Sequence, residues 1–356
     1  MDCRPGCADV SVDFIEDDTG IVVFSLANKV GWALSWERKL SEPSAASLVL
    51  DNQVGDCCKI DLKPFCHSMR VFRCGELVAC YQYLGFTSTS NSSLVMNFVS
   101  IMSLVESRPW LSDSDLSGSS NVLFGKVLDE ASKVDQLPIS EEIVGDGFQT
   151  GVVSAEKDFL ANPINRLVSD SLNYVEYASG NDCYIVRYGD LDYPTGHVLT
   201  DSDWDDPPSI GEDGFDLASF VCVLSDDKTG DTPNFVGAWP PIVDGKYPRG
   251  GHCKWLPKQV IMPGLNSDGQ ATETARRIWE SSQSGLFIGS KSASGVDSNL
   301  SKVFPVDVNS LLPGALFESD ISHGCGSVGE LFRLVSLEFD VLDGLEISVK
   351  ADFEGV

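Results

Sequence analysis

The residues able to do chemistry in this chain are scattered where an active site would gather them. His67, His197, His252 and His323 stand too far apart to make a local pair. Cys66-His67 and His252-Cys253 lack the Cys-x-x-Cys or His-x-x-x-His companion that a metal site needs. All four histidines are therefore read as structural or surface residues. Asp201, Asp203, Asp205 and Asp206 cluster oxygen donors suited to a hard cation, and Glu212 falls twelfth from Asp201, as in a calcium loop. Asp206, however, stands where that loop turns on glycine, and Pro207-Pro208 stiffens the chain just after it, so a solvated acidic loop is expected. Gly324-Cys-Gly-Ser-Val-Gly329 has dinucleotide-type glycine spacing, but polar residues precede it and a strand pattern comes next. A dinucleotide site needs a strand before and a helix after, so this run is read as a turn. There is no Gly-x-Ser-x-Gly elbow or P-loop, and any glycosidase-type pair chosen from 53 acidic side chains would be arbitrary. The expectation is a protein that is no enzyme, with no catalytic residue, cofactor or metal.

Composition narrows the partners. With 25 basic and 53 acidic residues the formal charge is −28, which repels nucleic acid and anionic lipid. Seven tryptophans, Trp32, Trp36, Trp110, Trp204, Trp239, Trp255 and Trp279, form no repeated stacking platform and are assigned to cores or subunit contacts. Trp204 and Trp239, in turn-rich sequence, are the candidates for carbohydrate binding. Eleven cysteines, Cys57 and Cys58 adjacent and the rest dispersed, are an odd number without the dense pairing of a secreted scaffold. Buried free thiols in a reducing cytoplasm are the expectation. No signal-like segment and no run of eighteen apolar residues is present, so neither standard secretion nor a direct membrane anchor is expected.

These residues are carried by a strand-rich pattern at both ends, about 19–110 and 303–356, around an acidic middle. Period two places Trp32, Leu34 and Trp36 on one face of a strand. Ser68–Arg73 and Glu76–Tyr83 flank Cys74-Gly75 as a hairpin, with Gly75 free to take positive φ. Residues 93–104 suit one long strand or a strand leading into a helix, and 112–120 read as an exposed linker. Helix is expected at 155–161 and 163–170, strand at 183–187 and 220–224, and turns at 189–196 and 201–208. The clearest helix spans about 271–283, with Ala275, Ile278 and Trp279 on one side and Asp268 as cap. Two strands close the chain. Leu334, Ser336 and Glu338 oppose Val335, Leu337 and Phe339, and Leu345, Ile347 and Val349 share an apolar face.

Several of these segments together resemble the minor tail proteins of long-tailed actinobacterial phages, which are similar to baseplate hub or tail-associated proteins. The likeness rests on Trp32-Ala-Leu-Ser-Trp36-Glu, Arg70-Val-Phe-Arg73-Cys-Gly75-Glu-Leu-Val and Val105-Glu-Ser-Arg108-Pro-Trp110 at the N-terminal end. Toward the other end it rests on Ala271–Ile278, Leu311-Leu-Pro313-Gly314-Ala-Leu-Phe and the two closing strands. Glu76, Val105 and Ser107 depart from the family's pattern.

The resemblance implies a mixed α+β, β-rich tail hub fold, with two small β-barrel-like domains interleaved with mixed α/β domains. It divides the chain into an N-terminal β-rich hub domain (1–111), a mixed helical and linker domain (112–180), an acidic variable domain (181–268) and a C-terminal helix and β-rich hub domain (269–356). It implies a homotrimer at the virion tail tip, assembled in the host cytoplasm and joining the tail tube to distal tip proteins. The partners would be distal tail or tube proteins, other minor tail proteins and the tape measure protein, with DNA passing through the channel without specific binding. Structural or interface candidates are Trp32, Trp36, Arg70, Arg73, Gly75, Arg108, Trp110, Trp279, Pro313 and Gly314. Two other readings stand beside it, a tail-tip carbohydrate-binding or glycan-degrading protein and a jelly-roll capsid protein.

Overall fold

In the computed structural model, alternating burial builds strands along both ends of the chain. The structure describes residues 8–27, 30–51, 61–89, 93–111, 116–133, 135–147, 149–153, 159–169, 172–206, 208–212, 218–226, 228–229, 232–242, 257–262, 265, 267–281, 286–289, 298–323 and 326–356. The N-terminal end folds as β1 (Val10–Glu16), β2 (Val22–Ser25), β3 (Trp32–Lys39), β4 (Ala45–Asp51), β5 (His67–Arg73), β6 (Glu76–Thr89) and β7 (Ser93–Val99). Strict alternation of buried and half-buried residues along β3 puts Trp32, Leu34 and Trp36 inside. After β7 the chain turns into helix α1 (Ile101–Glu106), so residues 93–104 are a strand leading into a helix. The Ser100 hydroxyl accepts from the Ser103 N–H and caps that helix.

The middle holds β8 (Leu116–Ser119), α2 (Ser120–Ala131), β9 (Ser140–Val144), β10 (Gln149–Val153), α3 (Ala161–Ser169), β11 (Asn173–Ser179), β12 (Asp182–Gly189) and β13 (Tyr193–Thr200). A single helical turn, Asp201–Asp203, leads to β14 (Ser209–Glu212), β15 (Phe220–Ser225), β16 (Lys228–Thr229), β17 (Thr232–Pro233), β18 (Val236–Trp239) and β19 (Pro257–Met262). The C-terminal end adds α4 (Asp268–Ser281), β20 (Leu286–Gly289), β21 (Ala315–His323), β22 (Gly326–Val328), β23 (Leu331–Leu342) and β24 (Leu345–Gly355).

The structure corrects five local expectations. Within the expected linker 112–120, residues 116–119 are a strand that pairs antiparallel with β10. Of the helix expected at 155–161, Ala155–Asp158 lie outside the described residues, and Phe159 makes a strand bridge to Pro109, so the helix begins only at Ala161. The second half of the turn-rich stretch 189–196 enters β13, whose parallel partner β21 lies more than a hundred residues away. Asp268 is the first residue of α4 and its carboxylate accepts from the Val236 N–H at 2.9 Å, while the Ser267 hydroxyl accepts from the Gln270 N–H. Along β23 a register shift between Leu334 and Ser336 brings Leu334 to the same buried side as Leu337 and Phe339.

One large sheet joins the ends of the chain. Its strands run β14-β20-β24-β23-β3-β4-β7-β6-β5-β1-β2, with β21 also on β23, and β13 and β22 on β21. The seam is the antiparallel β3–β23 ladder, Ala33–Lys39 against Leu342–Ser336, where Trp36 faces Phe339. Those two rings stack at 4.7 Å between centroids, 4° from parallel. Asp9 then meets Leu345 in an isolated bridge, with Val10 N–H to Gly344 O at 2.7 Å, so among the described residues β1 and β24 touch without closing a continuous barrel.

Four separate cores form among the described residues, the smallest of them Val175, Leu191 and Leu312. The largest takes Phe14, Trp36, Met69 and Phe98 from the N-terminal strands and Phe317, Phe339 and Phe353 from the C-terminal ones. A second packs α1, α2 and α3 against β11 and β12 through Val105, Phe124, Ile164, Tyr174 and Tyr188. A third, smaller one seats Ala271 and Ala275 of α4 on Val221 and Val223 of β15.

Candidate functional site

Arg38 stands where the pattern of β3 wants an apolar residue. It follows Trp32, Leu34 and Trp36 in the inward alternation and is 2% exposed. Its Nη1 donates to the carbonyls of Val308, Asn309 and Leu311 at 3.1, 3.1 and 2.9 Å, and its Nη2 to Val78 O at 2.9 Å. Its guanidinium also lies over the Phe339 ring, 5.7 Å from the centroid. Burial lowers its pKa to about 10, so it stays charged at neutral pH. Arg38 thus binds one loop and strand β6 to the seam, and the sequence reading missed it. The available signal was a cation on the apolar face of an otherwise alternating strand.

Arg73 holds the same loop from the other side. Its Nε and Nη2 donate to Glu346 Oε2 and Oε1 at 2.7 and 3.0 Å, and its Nη1 to Asn309 Oδ1 at 2.8 Å. This is a bidentate pair within one chain, joining β5 to β24, with both side chains 11% exposed. Beside it lies a cavity of about 390 Å³, lined among others by Phe304, Val306, Asp307 and Ile347.

The other candidates fall at several places. Arg70 directs Nε to Cys183 Sγ at 3.0 Å. Arg108 caps the end of α2, donating to Ala131 O and to Asp135 O at 2.7 Å. Trp32 and Trp36 lie in the largest core, Trp110 in the second, and Trp279 packs partly buried against the third. Gly75, at φ +82°, follows Cys74 at φ +55° in the two-residue turn joining β5 and β6. Pro313 and Gly314 are buried. At Gly314 (φ +98°) a Cβ would stand 2.7 Å from Leu191 O, which only glycine permits.

The polar clusters serve the fold. Asp203 Oδ2 accepts from Thr200 N–H at 2.7 Å and contacts His197 Nε2 at 3.0 Å, and Asp201 Oδ1 accepts from Ser322 N–H at 3.1 Å. His67 is buried, with its Nδ1 3.1 Å from Lys63 N. Among the described residues no group of three or more His, Cys, Asp or Glu is placed to hold a metal ion, and no helix is long and apolar enough to cross a membrane. His252, Trp255, Cys57, Cys58 and Gly324-Cys325 lie outside the described residues, while Gly326–Val328 pairs with β21 as a strand.

Two readings change. Trp204 is 4% exposed and packs edge-on against Phe353, so it offers no face to a sugar, while Trp239 packs partly buried against the third core. Cys66, Cys80, Cys183 and Cys222 are free thiols, but only Cys80 is buried as expected, Cys66 is exposed, and Cys74 is disulfide-bonded.

No family model matches the sequence, and no curated protein matches it. Solved structures match its full length. The 43 kDa tail protein of prophage MuSo2 from Shewanella oneidensis superposes with a TM-score of 0.62 at 11% identity, covering 98% of this chain and 98% of that one. A tail protein from Neisseria meningitidis MC58 gives 0.61 at 13% identity, covering 97% and 96%. Prophage tail protein gp18 from Listeria monocytogenes EGD-e gives 0.62 at 9% identity, covering 98% and 94%. The chain therefore has the mixed, strand-rich fold of known phage tail proteins, from end to end.

Proposed function

We propose that this chain is a structural component of a phage tail, a tail-tip hub that joins the tail tube to distal tip proteins and surrounds the DNA exit channel. The observation that carries this reading is the full-length likeness to phage tail proteins, 98% of both chains in one case. The sequence motifs favour the hub of a long-tailed actinobacterial phage, divided at 1–111, 112–180, 181–268 and 269–356. In that division the first and last parts each contribute an arc to a barrel-like body, with the seam at Trp36 and Phe339 between them.

Assembly rests on edges and charge. β2 ends the large sheet, and Ile21, Val22 and Val23 there are 61%, 48% and 48% exposed, an apolar strand edge suited to pairing with another chain. A cyclic homotrimer would cover such edges and leave a central channel. A charge of −28 lets DNA pass without adsorbing. Tube proteins, other minor tail proteins and the tape measure protein are the neighbours this position requires.

Native mass spectrometry of the purified 38.5 kDa chain, alone and with its tube protein, tests the proposal. The expected species is three copies of the chain, and a monomer that also fails to bind the tube protein would overturn it.

A further inference from the structure

Arg70, Cys80 and Cys183 converge where β6 passes β12. Arg70 and Cys80 are directly opposed in the β5–β6 ladder, and Arg70 Nε reaches Cys183 Sγ at 3.0 Å from the other side. Cys80 and Cys183 are near enough for each to shift the other's pKa, and both cysteines are free. Both thiols line one crevice of about 10 Å³, space for one water at most. Beside them the Tyr184 hydroxyl contacts Ser68 and Gln82, which fixes β12 against β5 and β6. Free cysteines scattered through a core require none of this geometry.

We infer that Cys80 and Cys183 form a redox-active dithiol, which a low-molecular-weight disulfide converts into a covalent bond between the large sheet and the second core. The two thiols have different parts. Cys183 is half-buried, and its pKa is lowered to about 7 by the neighbouring Cys80 thiol and by Arg70, against the opposing effects of burial and Asp17. Cys80 is 8% exposed, and burial pushes its thiol up. Cys183 is therefore the attacking thiolate and Cys80 the resolving thiol. In the first step Cys183 Sγ bonds to one sulfur of the external disulfide, whose other half leaves as a thiol after taking a proton. In the second step Cys80, giving up its proton, attacks Cys183 Sγ and releases the second external thiol. Two protein thiols are oxidised, and one external disulfide is reduced to two thiols.

The test incubates the full chain with glutathione disulfide at pH 7, quenches it in acid and maps cysteine peptides by mass spectrometry. A Cys80–Cys183 linked peptide is the expected main product, reversed by dithiothreitol and absent in Cys183→Ser. In Cys80→Ala, glutathione should remain attached to Cys183. Should that variant fail to fold, the pH dependence of iodoacetamide labelling of Cys183 in the wild-type chain decides the matter. A midpoint near 7, raised by Arg70→Gln and restored by Arg70→Lys, supports the dithiol. A midpoint near 9, or a wild-type chain that stops at the mixed disulfide, overturns it.

Discussion

The seam between β3 and β23 and the small unit of β15, β18, β19 and α4 are both strands covered by packed side chains, yet they are built on opposite principles. The seam joins residues about 300 apart in sequence, as in the ladder pair Trp36 and Phe339, and neither strand has its core without the other. The small unit draws all its elements from Phe220–Ser281, with β15 pairing β18 and β19 side by side. The difference shows where a lesion should spread. Damage at the seam loosens both ends of the chain, whereas damage in the small unit stays local.

Substitutions at the seam should break this contrast most clearly. Trp36→Ala removes a fully buried ring stacked on Phe339 and should cost about 3–5 kcal/mol. Hydrogen exchange should then rise in β3 and β23 alike while α4 stays protected. Arg38→Met keeps the volume but leaves four carbonyls without their donor, and a loss of roughly 3–4 kcal/mol is expected by chemical denaturation. An unchanged denaturation midpoint would show that the 308–311 loop is held by other contacts.

Glu176 sharpens the comparison through pH. It accepts from the Met102 N–H at 2.6 Å, and burial raises its pKa from 4.5 to about 8 despite the hydrogen bonds it accepts. A carboxyl that holds its proton more tightly when folded contributes stability fully below pH 4.5. That contribution is lost as pH rises through 8, by roughly 3–5 kcal/mol in all. The stability difference between wild type and Glu176→Gln should therefore shift against the wild type between pH 5 and pH 9, and a flat difference would refute the assignment. Arg73→Gln should cost less, about 1–3 kcal/mol, because the Arg73–Glu346 pair is only partly withdrawn from solvent. Arg276→Ala on the exposed face of α4, which breaks the pairs with Glu273 and Glu280, should leave the melting temperature of the seam unchanged.

Legibility in the sequence tracked the range of the forces involved. β3, the β5–β6 hairpin and α4 were readable because alternation, a Cys-Gly turn and a helical stripe are local signals. β13 was not, since Tyr193-Pro-Thr-Gly196 reads as a turn and becomes a strand only beside β21. Helix α2 carries Gly125 in its interior and is covered only by the mixed helical and linker domain expected over 112–180, although its Leu123, Phe124 and Val127 are wholly buried. Arg38 escaped because its partners are backbone carbonyls, which no side-chain motif announces. Arg73 was singled out from the hairpin motif, while its partner Glu346 lay 273 residues further on and could not be named in advance.

The most direct measurement is a three-dimensional electron-microscopy map of the assembled tail containing this chain. Three copies around an open channel below the tube, each with its β3 and β23 strands side by side, are predicted. A map placing a single copy away from the axis, or placing residues 10–99 and 315–355 in bodies that do not touch, would contradict the proposed hub.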